Sequence, residues 1–218
     1  MPRVSEEYLA GKRKEITDAA HRVCLRKPVS MVTMTDIINE TGMAQGNIYR
    51  YYKDLDEIFS AMILDMRESY SIIEETDRIF EDVDKEPVDV IMGKIFDLLA
   101  RKMEEQLMDI QKINFDLSVL AINDPERTAR IMGGIKSEGN LEHLVNRTAE
   151  LMGKAAATGD LHPRQPIEDI IRFLSSSYSG IQMNCIISAC YSWSPMAGNE
   201  PKKLFGTLKE TMLYLLGV

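Results

Sequence analysis

Cysteine is scarce in this chain of 218 residues: Cys24, Cys185 and Cys190 stand without C-x-x-C spacing. An odd count with no paired spacing argues against a disulfide framework, and favours reduced, buried thiols in a cytoplasmic protein. Histidine is equally sparse. His21, His143 and His162 lie far apart, and no H-E-x-x-H, G-x-S-x-G, P-loop or G-x-G-x-x-G occurs. Asp160 and His162 share a loop without further ligands and read as surface groups. No catalytic residue, metal site or cofactor is therefore expected, and an enzyme is disfavoured. No apolar run reaches the roughly 18 residues that span a bilayer. The start, MPRVSEEYLAGKRKE, has no apolar stretch of the kind a signal peptide needs. A cytoplasmic location with no membrane role is the expectation. Strand signals are missing too. There is no strict apolar/polar alternation and no Asn-Gly or Asp-Gly hairpin. An all-α fold remains.

What the chain does have is negative charge in the wrong place for random mixing. Lys and Arg total 26 and Asp and Glu 34, a net charge of −8. Residues 1–60 hold nine of each sign, leaving 17 basic and 25 acidic residues for the rest. The first 60 residues are neutral, and the body carries the whole excess. Such a body is repelled by phosphate, so any nucleic-acid contact falls to the N-terminal part alone.

Helical punctuation runs the length of the chain. Ser5 to Lys27 reads as a first helix, with Ser5 as cap, an apolar face of Ile16, Ala19, Ala20, Val23 and Cys24, and a stop at Pro28. Thr33 or Thr35 caps a second helix to about Glu40, Gly42 supplies a tight turn, and a third helix covers Gln45 to Tyr51. Asp54, with Glu57 three residues on, caps a fourth helix. Its stripe of Ile58, Phe59, Met62, Ile63, Met66, Tyr70 and Ile73 predicts a run past residue 75. Pro87 opens a fifth helix to about Leu107. A sixth spans Gln111 to Ile122. A seventh starts at Asp124-Pro125 and reaches towards Ala157, kinked or loosened by Gly133, Gly134 and Gly139. After a loop from Thr158, Pro166 opens an eighth to about Tyr191. Ser194-Pro195 begins a loop, and Lys202 to Leu216 forms the last helix.

Thr33 to Lys53, TMTDIINETGMAQGNIYRYYK, carries the most information. A short helix, a glycine turn and a second short helix fit a helix-turn-helix that lays one helix in the DNA major groove. Ile37, Ile38, Met43, Ile48 and Tyr51 can pin the pair. Gln45, Asn47, Tyr49 and Arg50 can face outward. Gln and Asn suit adenine edges, Arg suits guanine or phosphate, and a Tyr hydroxyl reaches phosphate. The segment bounded by Tyr49 and Tyr52 is thus read as an exposed probe. An ordinary helical hairpin is the alternative reading of the bare pattern.

This segment resembles the N-terminal domain of the TetR family of bacterial transcriptional regulators. The resemblance rests on Thr33, Asp36-Ile37, Thr41-Gly42-Met43, Gly46, Ile48-Tyr49-Arg50-Tyr51-Tyr52, Asp54 and Asp56-Glu57-Ile58. The spacing matches without gaps over about 45 residues. In the body the likeness is one of helix lengths, with Ser179-Gly180-Ile181 where many members carry Asp-Gly-Leu. Four positions depart from the pattern: Ala44 replaces a Ser or Thr cap, Ile38 a small residue, Leu55 a Lys, and Gln45 a frequent Lys or Arg. Lys53 is the substitute for the missing phosphate contact at Leu55. The resemblance implies a DNA-binding domain over residues 1–53 and a helical ligand-binding and dimerisation domain over 54–218. It implies DNA contacts at Thr33, Thr35, Gln45, Gly46, Asn47, Tyr49, Arg50 and Lys53, with Arg3, Lys12, Arg13 and Lys14 as either a contacting arm or a solvated, charged helix start. A ligand-responsive, sequence-specific DNA-binding regulator is expected. It would be a dimeric repressor released from a palindromic, double-stranded operator by an apolar or amphipathic effector. A helical ligand-binding or scaffold protein without DNA activity is the other reading.

The body must then pair and sense. Ile167 to Ile187 is apolar on nearly every side, which predicts burial all round. Phe173, Ser177, Gly180, Asn184 and Ser188, with Leu208, Met212 and Leu215 of the last helix, are the expected homodimer interface. Met92, Phe96, Leu99, Met103, Phe115 and Leu120 are expected to line a ligand pocket, with His143, Asn146 and Tyr178 as polar anchors. Fourteen methionines suit an adaptable pocket, although plain core is the alternative for any one of them.

Overall fold

The structure, a computed structural model, describes residues 5–83, 85–190 and 199–218. Among them there are helices and turns but no strand. The expected all-α fold is what the chain adopts. The helices are α1 (Glu6–Arg26), α2 (Met34–Thr41), α3 (Gln45–Ile48), α4 (Leu55–Ser69), α5 (Ile73–Phe80), α6 (Val88–Gln106), α7 (Lys112–Asn123), α8 (Pro125–Gly133), α9 (Asn140–Thr158), α10 (Ile167–Cys190) and α11 (Pro201–Leu216). None is long and apolar enough to cross a membrane among the described residues.

Packing divides the chain into two compact units. The first runs through Tyr70 and takes in Lys112–Ser137; the second comprises Ser71–Gln111 and Glu138–Val218. The division by packing therefore differs from a cut after Lys53. In the first unit α1 packs on α2 and α4, and α4 on α8. Ile16, Ala19, Ala20 and Cys24 of α1 meet Ile58, Phe59 and Met62 of α4 in a core closed to solvent. Ile16, Ile58, Phe59 and Met62 each contribute about 1.5–3 kcal/mol on burial. Polar bonds register α8 on α4: Ser60 Oγ donates to the Ile131 carbonyl at 2.6 Å, and Arg127 Nε reaches Asp56 at 2.7 Å. In the second unit α11 packs along α6, and α10 touches α9 and α11.

Two helix boundaries differ from the sequence reading. The fourth helix stops at Ser69 instead of passing residue 75. Ser71 Oγ accepts from the Ile73 N–H at 3.3 Å, and Asn140 Oδ1 accepts from the Ile72 N–H at 3.1 Å. These side chains satisfy backbone donors that a continuous helix would have used, so the break is stable. The expected seventh helix is two. Gly133 and Gly134 end α8, and Gly139 starts α9 with Glu142 accepting from its N–H at 3.3 Å. Six residues of turn separate them rather than a kink. Gly159, not the middle of a loop, closes α9 in a left-handed conformation. The predicted end of the eighth helix at Tyr191 and the Ser194-Pro195 loop lie outside the described residues.

Cys24 and Cys185 are buried, and burial pushes the Cys24 thiol up to about 12 and raises that of Cys185. Cys190 is exposed, against the expectation that all three are buried.

Gly42 and Gly217 both take positive φ, at 67° and 73°. A Cβ at Gly42 would meet open space, whereas at Gly217 it would fall inside the backbone carbonyl of His162. Gly42→Ala is expected to cost about 1 kcal/mol, from conformation alone. Gly217→Ala is expected to cost at least twice that. Urea unfolding of the two variants measures the difference, and equal costs would contradict the packing at His162.

Candidate nucleic-acid interface

The N-terminal unit presents its short helices by a chain of local bonds. Thr33 caps α2: its hydroxyl accepts from the Asp36 N–H at 3.3 Å, and Asp36 accepts in return from the Thr33 N–H at 2.7 Å. Lys27 Nζ sits 2.6 Å from the same carboxylate. The Lys27 ammonium, with the Thr33 hydroxyl and N–H, holds the Asp36 carboxyl down to about 2. Its native form is thus fully charged above the ordinary carboxylate range near 3.9. Its contribution to the cap is lost only as pH falls through about 2. At the other end the chain reverses at Gly42, and Thr41 Oγ1 accepts from the Met43 N–H at 3.2 Å.

The next helix is short. α3 covers Gln45–Ile48, less than the expected span to Tyr51. Its N-cap, Ala44, offers no side-chain acceptor, as its residue type predicts. Beyond Ile48 the chain continues in tight turns, with Arg50 N–H to Asn47 O at 3.2 Å and Tyr51 N–H to Ile48 O at 2.9 Å. Two buried side chains hold this stub. Ile48 is fully buried, and Tyr52 is 3% exposed. The Tyr52 hydroxyl donates to the Arg13 carbonyl at 3.4 Å, and the Arg13 guanidinium lies 5.2 Å from the centre of its ring. Tyr52 is therefore an anchor, not part of an exposed probe. Its following turn brings it round to the side of Ile48, a consequence of the four-residue spacing.

Tyr49, by contrast, is 46% exposed. Thr33, Thr35, Gln45, Gly46, Asn47, Arg50 and Lys53 are exposed with it. At about 100° per residue, Gly46 and Arg50 stand opposite buried Ile48, with Asn47 and Tyr49 on either flank. The charge pattern sorts the cations. Arg22 and Arg26 pair with Glu40, Lys27 with Asp36, Lys12 with Glu15, and Lys14 with Asp18. Arg50 and Lys53 make no ion pair among the described residues. Arg13 is engaged by Tyr52, and Arg3 lies outside the described residues.

Residues 16–62 match the family described as bacterial regulatory proteins, tetR family. Over that stretch the chain is similar to the TetR family. It is 24% identical over 185 residues to an uncharacterised HTH-type transcriptional regulator, YfiR of Bacillus subtilis (strain 168), covering 85% of each chain. Over 62 residues it is 34% identical to the HTH-type transcriptional repressor Rv1474c of Mycobacterium tuberculosis, covering 28% of this chain and 33% of that one. Its fold is that of the regulator FadR from Bacillus subtilis, solved in complex with stearoyl-CoA. The TM-score there is 0.58 at 14% identity, over 94% of this chain and 98% of that one. The exposed rim of residues 33–53 lies inside the stretch that matches the family.

The residues expected to line a ligand pocket do not all come together. Met92, Phe96, Leu99 and Met103 lie on the buried face of α6, in one apolar cluster with Leu151, Phe205 and Met212. Tyr178 packs against that cluster. Phe115 and Leu120 are on α7, which belongs to the first unit. His143 sits in a polar cluster, its ring nitrogens 2.9 Å from Glu138 and Asp77. Burial alone would lower the affinity of His143 for a proton, but those two carboxylates raise it. Asn146 is exposed and donates to Glu138 at 2.9 Å. Two buried polar residues escaped the sequence reading, Gln111 and Gln182. The signal for Gln182 was its place among Ile181, Cys185 and Ile186 on one helical face.

The expected pairing residues divide likewise. α10 buries one face, with Ile170, Ile181, Gln182, Cys185 and Ile186, rather than its whole circumference. Phe173 is 45% exposed, and Ser177, Gly180, Asn184, Ser188 and Leu215 are half-buried. Leu208 and Met212 instead fill the chain's own core in the second unit, so they are not free to meet a partner.

Gly46 is in a right-handed helix, and an added Cβ would meet nothing within 4 Å. The fold itself gives no reason for glycine there. Gly46→Ala is expected to raise the stability of the first unit by about 0.5–1 kcal/mol while weakening DNA binding. Thermal melting and gel shift on the same variant read the two signs. Stabilisation with undiminished binding would remove Gly46 from the interface.

Proposed function

We propose that this chain is a ligand-responsive, sequence-specific DNA-binding regulator that acts as a homodimeric repressor on a palindromic operator. The observation that carries the reading is the exposed ring of Gln45, Asn47, Tyr49, Arg50 and Lys53 around Gly46, seated on buried Ile48 and Tyr52. Arg50 and Lys53 serve phosphate, and Gln45 and Asn47 serve base edges. Thr33 and Thr35 add hydroxyls at the start of α2. One such stub spans few base pairs, and a two-fold pair of heads doubles the contact on a symmetric site. Exposed Phe173 and Met183 on α10, and Tyr214 on α11, support pairing through those helices.

An apolar or amphipathic small molecule is the proposed effector. The apolar cluster of Met92, Phe96, Leu99 and Met103 supports it, as does the acyl-CoA held by FadR on the same fold. Release from DNA requires that the molecule bind one state of the dimer more tightly than the other.

Tyr49→Ala and Arg50→Ala are each expected to weaken binding to the DNA upstream of the chain's own gene by about tenfold or more. Both should leave the dimer intact. Gel shift at fixed salt and light scattering at micromolar concentration are the measurements. Unchanged binding by both variants, or a monomer, would refute this function.

A further inference from the structure

We propose that Gln111, Gln182 and Tyr178 are the polar anchor of a ligand site in the second unit, and that its ligand is an uncharged amphiphile with an amide or hydroxyl head. The proposal rests on the reading that this unit senses a small molecule. Gln111 and Gln182 are 7% and 8% exposed, in a unit whose other buried polar residues are Thr76 and Thr148. Gln182 Nε2 donates to Gln111 Oε1 at 2.7 Å and stands 3.4 Å from the Gln111 main-chain carbonyl. The Tyr178 hydroxyl donates to the same Gln111 Oε1 at 3.3 Å. These bonds use the carbonyl of one amide and the NH2 of the other. The Gln111 NH2 group and the Gln182 side-chain carbonyl make no hydrogen bond among the described residues. Neither group is among the fully enclosed unpaired polar atoms, so both are open to a bonding partner from outside the protein, whereas an aliphatic side chain would serve a plain core better. Donor and acceptor together, on two side chains already bonded to each other, suit a head that both accepts and donates.

The surroundings set the rest of the ligand. Ile181 and Cys185 flank Gln182 on the buried face of α10, Ile110 precedes Gln111, and the Phe205 ring lies 6.1 Å from that of Tyr178. No charged side chain bonds to any of the three anchors among the described residues. A carboxylate or phosphate there would be buried without a counterion, which is strongly unfavourable. Gln111 also closes a π-helical turn, Leu107–Gln111, in which Asp109 leaves helical geometry at φ −116°, ψ −105°. Such turns recur at functional sites. The next residue, Lys112, opens the segment that packs with the DNA-reading unit. A ligand that re-pairs the Gln111 amide therefore acts on the residue at which the chain leaves the second unit.

Calorimetric titration of the full chain with dodecanamide, dodecan-1-ol, dodecanoate and lauroyl-CoA tests the proposal. The amide and the alcohol are expected to bind at least about tenfold more tightly than the two charged probes. Gln182→Met is expected to weaken dodecanamide by about tenfold while the ligand-free protein still shifts DNA. Gln111→Leu and Tyr178→Phe provide the same comparison should Gln182→Met fail to fold. Charged probes binding as tightly as the amide, affinity untouched by these substitutions, or no binding of any probe would each overturn the anchor. Loss of the DNA shift in the unaltered chain would instead refute the regulator reading, and the titrations would still decide the anchor.

Discussion

A helix of four residues cannot hold itself in water, because nucleating one turn costs more than its few hydrogen bonds return. α3 lacks even a side chain on its N-cap. What keeps it in place is the insertion of Ile48 and Tyr52 into the core built by α1 and α4, with the Tyr52 hydroxyl tied to the Arg13 carbonyl. The outward residues owe their position to those two inward ones. The exposed rim is thus a tertiary feature, whose geometry follows from packing rather than from helical propensity.

Charge is arranged to the same end. Five cations of the head are spent on neighbouring carboxylates, including the pair of arginines on Glu40 and the lysine on Asp36. The bonds to Glu40 and Asp36 brace α1 against α2. The five pairs also leave a head with little free positive charge, in a chain whose net charge is −8. Long-range attraction to nucleic acid is weak in such a molecule, so the proposed function would draw its selectivity from close fit of a few uncharged side chains. The amides of Gln45 and Asn47, and the bare backbone at Gly46, are of that kind.

The sequence was most legible where a single residue settles a local conformation. Ser5, Thr33, Asp54 and Asp124 cap the helices they were read to cap. Gly42 turns left-handed as its type requires. The stripes of α1 and α4 are the buried faces. Legibility failed where a non-local partner decides. The apolar stripe of α4 continues smoothly through Ile72 and Ile73, and only Asn140, far along the chain, reveals why the helix breaks there. Tyr49 and Tyr52 look alike in a string of letters, yet their azimuths differ and one is inside. Phe115 and Leu120 match the α6 stripe in composition, but Asp56 and Ser60 recruit the following α8 to α4, and α7 packs with it in the first unit. The π turn at Leu107–Gln111 leaves no periodic trace at all.

The chain passes between its two units three times, after Tyr70, Gln111 and Ser137. The first unit is consequently discontinuous: α8, which braces α4 through Ile131 and Arg127, is encoded more than fifty residues beyond the end of α4. During synthesis the amino-terminal helices emerge first, as in any vectorial folding process. They remain an unfinished assembly until Ser137 has cleared the ribosome, by which time α5 and α6, two of the second unit's five described helices, are already made. Maturation of the two units is therefore interleaved in time, and neither can be cut out as an uninterrupted stretch of gene.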